Sequence, residues 1–326
     1  MPLTSHLAGW DKRLRVALED LQMDRWLAAK DLLRDTGTDW ALRTSRSQAL
    51  AVGAAKYRAI EAWCGQEPYD WDALMMRARV QTQRVLNAHR DGLSGRKLVS
   101  ALRDVRAACE AAAERWPEDP VPHVCRLALV QVDTDPRFPH SRMHWEARDD
   151  MLPPGPWRLL SWVDRLDRYN REAYHRMLHI LHARGEHALY FTQTVASFVP
   201  DGSALKVLPL YAFVESYRRQ RQGRPSASVL AYWATADKAH YARRALHDWF
   251  EAEPPENEPR ELSLLDLNYL AHALTATGVG NAAAVFEVIG PYVTTAPWVH
   301  VTEKPEWWQD DFRSARGKAL GSGGRW

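Results

Sequence analysis

The sequence predicts an all-α fold, a right-handed stack of antiparallel helix pairs of the α-solenoid type. Three observations predict it. Apolar residues recur at helical spacing through most of the chain, with no alternating strand pattern and no βαβ order. The helical stretches are short and come in twos separated by Gly- or Pro-containing turns. No single pair carries enough apolar surface to bury itself, so neighbouring pairs must cover one another.

The best-formed pair spans residues 169–199. Ala173, Met177, Leu178 and Leu181 form one stripe, and Gly185 makes the turn. Leu189, Ala196 and Val199, beside Phe191, Val195 and Phe198, form the second stripe, closed by Pro200-Asp201-Gly202-Ser203.

From the N-terminus, Leu14, Ala17, Leu18 and Leu21 make a first stripe, and Trp26, Leu27, Ala29, Leu32 and Leu33 a second. Thr38 and Asp39 cap a helix that runs from Trp40 to Trp63, with Gly53 as an internal break. A long helix follows from Asp70 to about Ala88, and an amphipathic one from Lys97 to Arg115, stopped by Trp116-Pro117. Pro122 opens the next helix, as proline does in a first turn.

Residues 133–156 hold five prolines and little periodicity, which marks an irregular connecting segment or joint. The expected division is therefore 1–132, 133–156, 157–290 and a non-repetitive tail, 291–326. Helices are expected at 157–167, 205–219, 226–251 (split near Ala236), 262–276 and 281–289. Tyr292–Val301 reads as extended chain packed on the last helices, and Ser314–Trp326 as a frayed end.

The composition excludes several classes. Hydrophobic content of 46% and charged content of 26% in 326 residues suit a chain with a sizeable core. The net charge of +2, with 43 basic and 41 acidic residues interspersed, gives no general attraction to nucleic acid or anionic lipid. Among those 43, Arg outnumbers Lys 35 to 8, which points to a GC-rich bacterial genome. No run approaches the 18 apolar residues of a membrane span, and the first residues lack a signal-peptide core. Cys64, Cys109 and Cys125 form no paired motif, so a cytoplasmic protein with small buried thiols is expected.

The helix–turn–helix spacing resembles that of tetratricopeptide-like repeats. Ala188 opens and Pro200 closes a second helix twelve positions apart, the distance of the consensus Ala and Pro. Val105, Cys109, Ala112 and Pro117 repeat that spacing with Val in place of Ala. The first-helix aromatic and Gly of the consensus are missing, and the two prolines lie 83 residues apart, not a multiple of 34. Asn170–Arg219 also looks like an uncharacterised actinobacterial helical family, which offers no activity to carry over. As a class, helical-repeat families bind peptides or partner proteins in a concave face, and the resemblance implies that role here.

No Gly-rich phosphate loop, G-x-S-x-G or paired Cys/His nucleophile occurs. His175, His179 and His182 stand at i, i+4 and i+7, a spacing at which imidazoles can share Zn or Fe, with Glu172 or Glu186 to complete the shell and His187 nearby. The competing reading is that they fill the inter-helix surface. His140 and His144, beside Glu146, Asp149 and Asp150, form a second such pair in the irregular segment. Of the fifteen tryptophans, Trp26, Trp40 and Trp63 sit at core spacing. Trp298, Trp307 and Trp308, with Tyr292 and Phe312, either glue the tail to the last helices or present a partner interface. Arginines 218, 219, 221 and 224 form the basic run, which suits a helix C-terminus or, alternatively, an RNA or nucleotide phosphate.

The function expected is a binding or scaffold protein that recognises a peptide or protein in a groove and needs no cofactor. Tyr174, Arg176, His179, Tyr211 and Glu215, which flank the core stripes, are the expected groove residues. The alternative is an α-helical enzyme of secondary metabolism or peptide tailoring that uses the histidines as metal ligands or acid/base groups.

Overall fold

The computed structural model describes residues 3–133, 145–146, 152–185, 187–223, 228–253 and 262–322. Among these residues the protein is all-α. It has no strand, and only two isolated bridges occur, Thr4 with Tyr292 and Glu146 with Gly155. The chain divides into two compact units, Trp10–His187 and the combination of Met1–Gly9 with Ala188–Trp326. The divisions fall at 9/10 and 187/188. The joint expected at 133–156 lies within one unit, and most of it falls outside the described residues.

The first unit holds α1 (Lys12–Gln22), α2 (Leu27–Thr36), α3 (Trp40–Ala54), α4 (Ala59–Gln66), α5 (Trp71–Arg90), α6 (Gly95–Arg115), α7 (Val121–Val130), α8 (Trp157–Leu166) and α9 (Arg171–Ala183). Acid or amide side chains start four of them. Asp11, Asp39, Asp70 and Asn170 accept from the main-chain N–H three residues on, at 2.9, 3.1, 2.8 and 2.9 Å. At the far end of α9, Gly185 turns the chain in the left-handed region, at φ +70°.

Consecutive helices other than α3 and α4 pack on one another, and α1, α3, α5 and α7 also pack in sequence on alternate neighbours. Helix α9 then packs on α7 and reaches back to α3. A strict ramp of pairs would carry α9 out of reach of α3, so these helices close around a shared centre. The break expected near Gly53 is present, since α3 ends at Ala54 and α4 begins at Ala59. Gly53 itself is the last residue but one of α3, and a Cβ on it would stand 2.4 Å from the buried Leu18 Cδ2. The glycine lets α1 approach α3 closely.

That centre is charged. Arg43 on α3 is fully buried. Its Nη2 donates to Asp72 Oδ1 at 2.6 Å, its Nε donates to Asp119 Oδ2 at 2.9 Å, and its guanidinium lies 4.6 Å from the Trp116 ring centroid. One cation therefore ties α3 to the first turn of α5 and to the residue pair before α7. Nearby, Asn170 donates to Thr44 Oγ1 at 3.2 Å and to Asp167 Oδ2 at 2.6 Å, which fixes the entry to α9. Trp26 and Trp63 stack at 5.5 Å in the apolar part of this unit, the spacer role their sequence positions suggest.

The second unit holds α10 (Ala188–Phe198), a 3₁₀ turn (Ala204–Val207) leading into α11 (Leu208–Gly223), α12 (Val229–Trp233), α13 (Ala236–Ala245), α14 (Leu264–Thr277), α15 (Ala282–Ile289), α16 (Trp298–Val301) and α17 (Trp308–Ser322). Helix α13 continues into a π-turn at Leu246–Phe250. Thr4 pairs with the chain after α15, its N–H donating to Pro291 O at 2.8 Å.

Two expectations for the tail change. One turn of helix, α16, interrupts the stretch read as extended, and the stretch read as frayed forms most of α17. Phe312 explains the second difference. It is fully buried, 5.6 Å from the Phe286 ring and 5.2 Å from the Trp298 ring, and so anchors a helix that local composition alone would not hold. Trp298 and Phe312 are thus glue, while Trp307 is exposed beneath Lys304.

Candidate functional site

One concavity within the first unit is a cleft of about 390 Å³ formed by α3, α5, the turn after α7 and α9. This is within the range of pockets that take small ligands or short peptide segments, about 300–1,000 Å³. Helix α5 supplies Gln83, Leu86, His89 and Arg90, spaced so that one side of its last turns faces the space. Gln48 comes from α3, Gln131 and Val132 from the turn after α7, and Arg176 and His179 from α9. Among the described residues the lining therefore holds two guanidiniums, two imidazoles and three amides, and no carboxylate.

Arg176 is held from below. Its Nε and Nη2 donate to Glu172 Oε1 at 3.0 and 2.8 Å, one helical turn earlier. Glu172 is itself buried and is gripped from the other side by Arg79 of α5, whose Nη1 donates to Oε1 at 3.0 Å and whose Nη2 donates to Oε2. Arg79 also donates to the Thr44 carbonyl at 3.0 Å and lies 3.8 Å from Cys125 Sγ.

Burial pushes the Glu172 carboxyl up, but Arg79 and Arg176 outweigh it and hold the group below its ordinary range. Burial likewise raises the Cys125 thiol, yet the hydrogen bond from Cys109 and the field of Arg79 bring it down. Arg79 contributes to both effects.

Of the expected groove residues, Arg176 and His179 line this cleft. Tyr174 does not. It points into the core of the unit and donates from its hydroxyl to Asp164 Oδ2 at 2.8 Å. Tyr211 and Glu215 belong to the second unit. Tyr211 is buried, stacked 3.6 Å from Tyr269 and donating to Asp266 Oδ1 at 2.5 Å, and Glu215 pairs with Arg218 at 2.8 Å and Arg219 at 3.1 Å. Flanking a core stripe does not separate a groove side from a second buried side, because a helix packed on several neighbours has little open face.

The histidines of α9 diverge in the same way. His175 is buried, and burial, reinforced by Arg171 and His179, pushes its imidazole well below the ordinary range. His179 faces the cleft, and His182 is half-buried. Among the described residues no three His, Cys, Asp or Glu side chains gather closely enough to hold a metal ion, so the expected trio of His175, His179 and His182 is not assembled as a donor set.

Glu186, His140, His144, Asp149 and Asp150 lie outside the described residues. Arg218, Arg219 and Arg221 are engaged within the second unit, the last with the Thr302 and Glu303 carbonyls, and Arg224 lies outside the described residues.

Sequence reasoning missed Gln48, Gln83, Arg90 and the buried pair of Arg79 with Glu172. The one local signal was a guanidinium and a carboxylate at buried helical positions, which requires a partner somewhere. Among the described residues no helix is long and apolar enough to cross a membrane. No family model matches this chain, and neither do any curated proteins or solved structures.

Proposed function

We propose that the protein is an α-helical binding protein that takes a segment of peptide or partner protein in the cleft of its first unit. The observation that carries this reading is the cleft itself, about 390 Å³ and lined by Arg176 and His179 of α9. The packing of α1, α3, α5 and α7 on alternate neighbours supports a tetratricopeptide-like arrangement in that part of the chain, which α9 then closes. A cytoplasmic location fits the three free cysteines.

Selection of short phage-displayed peptides on the purified protein, followed by hydrogen-exchange mapping, tests the proposal. Enriched peptides should slow exchange in the last turns of α5 and in the middle of α9. Protection confined to the second unit, or no enrichment over a denatured control, would refute it.

A further inference from the structure

Beside the cleft is a small chamber of about 10 Å³ that shares Gln48, Gln83 and Arg176 with it and is also lined by Ala51, Arg79 and Thr82. That volume holds a single water-sized centre. Arg79 is 3% exposed, and its Nε has no hydrogen-bond partner among the described residues. A buried guanidinium N–H without an acceptor is costly, so the chamber favours an oxygen there.

The charges agree. One carboxylate, Glu172, stands between two guanidiniums, which leaves a surplus of one positive charge at the inner end. Arg176 donates Nε and Nη2 to Glu172, which leaves Nη1 outside that pair, and its side chain lines both the chamber and the cleft. Arg90 adds a second cation to the lining, which among the described residues offers no carboxylate to neutralise either. The hydroxyl of Thr82 donates to the Ala78 carbonyl at 2.8 Å and the Gln83 amide donates to Asn87 Oδ1 at 2.8 Å, so the other side-chain donors of the lining are those of the arginines and Gln48, with the second N–H of Gln83.

We infer that the inner end of the cleft is a carboxylate-binding site, in which one oxygen of a peptide carboxylate enters the chamber beside Arg79 while the group pairs with Arg176. The inference rests on the peptide-binding reading and names the chemistry that cleft selects. A chamber for one oxygen suits a flat carboxylate better than a tetrahedral oxyanion. The carboxylate can come from an acidic side chain or from a chain terminus.

Calorimetric titration of the full chain distinguishes these outcomes. The probes are an N-acetylated, C-amidated penta-glutamate, the matching penta-glutamine, penta-glutamine with a free C-terminal carboxylate, and inorganic phosphate. At least one carboxylate-bearing peptide should bind about tenfold or more tighter than the blocked penta-glutamine. The preference should shrink between about 0.05 and 0.5 M salt. The two carboxylate peptides separate side-chain from terminal recognition.

Arg176→Gln, which leaves Glu172 paired with Arg79, should abolish the preference. Arg243→Gln, the same charge change on an exposed site of the second unit, should not. Equal binding of penta-glutamate and both penta-glutamines would overturn the carboxylate site and leave the peptide reading standing. Phosphate binding that depends on Arg176, with no peptide binding, would overturn both the peptide reading and the fit to a flat carboxylate. Binding to no probe, or a preference that Arg176→Gln leaves intact, would also overturn the site.

Discussion

Arg43→Met tests the charged centre of the first unit. In the native protein Arg43 and its partners Asp72 and Asp119 are all buried, with Arg43 bonded to both carboxylates at 2.6–2.9 Å. The substitution keeps the side chain's volume and its contact with Trp116 but leaves two buried carboxylates without their shared cation. Breaking a buried pair in this way costs about 3–5 kcal/mol. A domain holds only about 5–15 kcal/mol in all, so the first unit should lie near its unfolding threshold at pH 7.

The loss should depend on pH, and the sign follows from burial. Burial already pushes the Asp72 carboxyl up even with Arg43 beside it. Without the cation, the folded-state value of Asp72 rises further above the unfolded value of about 3.9. A carboxyl whose folded value is raised loses stability as pH climbs through that value, so the variant should recover stability as pH falls from 7 towards about 4.5. Urea unfolding followed by far-UV circular dichroism measures the cost at each pH. Adding Asp72→Asn and Asp119→Asn should return most of the loss at pH 7, since Asn at 119 can still accept from the Val121 N–H, now at 2.8 Å. A cost below about 1 kcal/mol, or one that neither pH nor the added amides alter, would refute this account of the centre.

Two further predictions concern other sites. Burial lowers the His272 imidazole to about 3 in the core of the second unit, so its contribution is present above the unfolded value of about 6.5 and is lost as pH falls towards 3. Between pH 6.5 and 5 that loss is about 2 kcal/mol; His272→Phe should flatten this acid-side slope in thermal unfolding, and an unchanged slope would sink the assignment. Gly53→Ala should invert the usual gain of about 1 kcal/mol for Ala over Gly in a helix. The added Cβ meets Leu18 Cδ2 at 2.4 Å, and a net cost of about 1–3 kcal/mol is expected in the urea midpoint. A stabilised variant would show that α1 yields easily.

Periodicity and punctuation alone determined that the chain is helical. Stripes such as Leu14, Ala17, Leu18 and Leu21 bury as their spacing requires, and Asp39 and Gly185 bound their helices because caps and left-handed turns are local chemistry. Part of the candidate site was legible for the same reason, since Arg176 and His179, two of its nine lining residues, flank the core stripe of α9. Tyr174 and Tyr211 satisfy the same rule and are buried, because the number of neighbours around a helix is not written in the helix.

Tertiary structure decided the rest. The pair read as one element from 169 to 199 is divided between two units, as α9 packs on α3, α7 and α8 while α10 packs on α11 and the 3₁₀ turn before it. Arg79 meets Glu172 across 93 positions, and Arg43 meets Asp119 across 76. Coulombic pairing over such separations depends on how the helices close in space, and spacing along the chain carries no record of it.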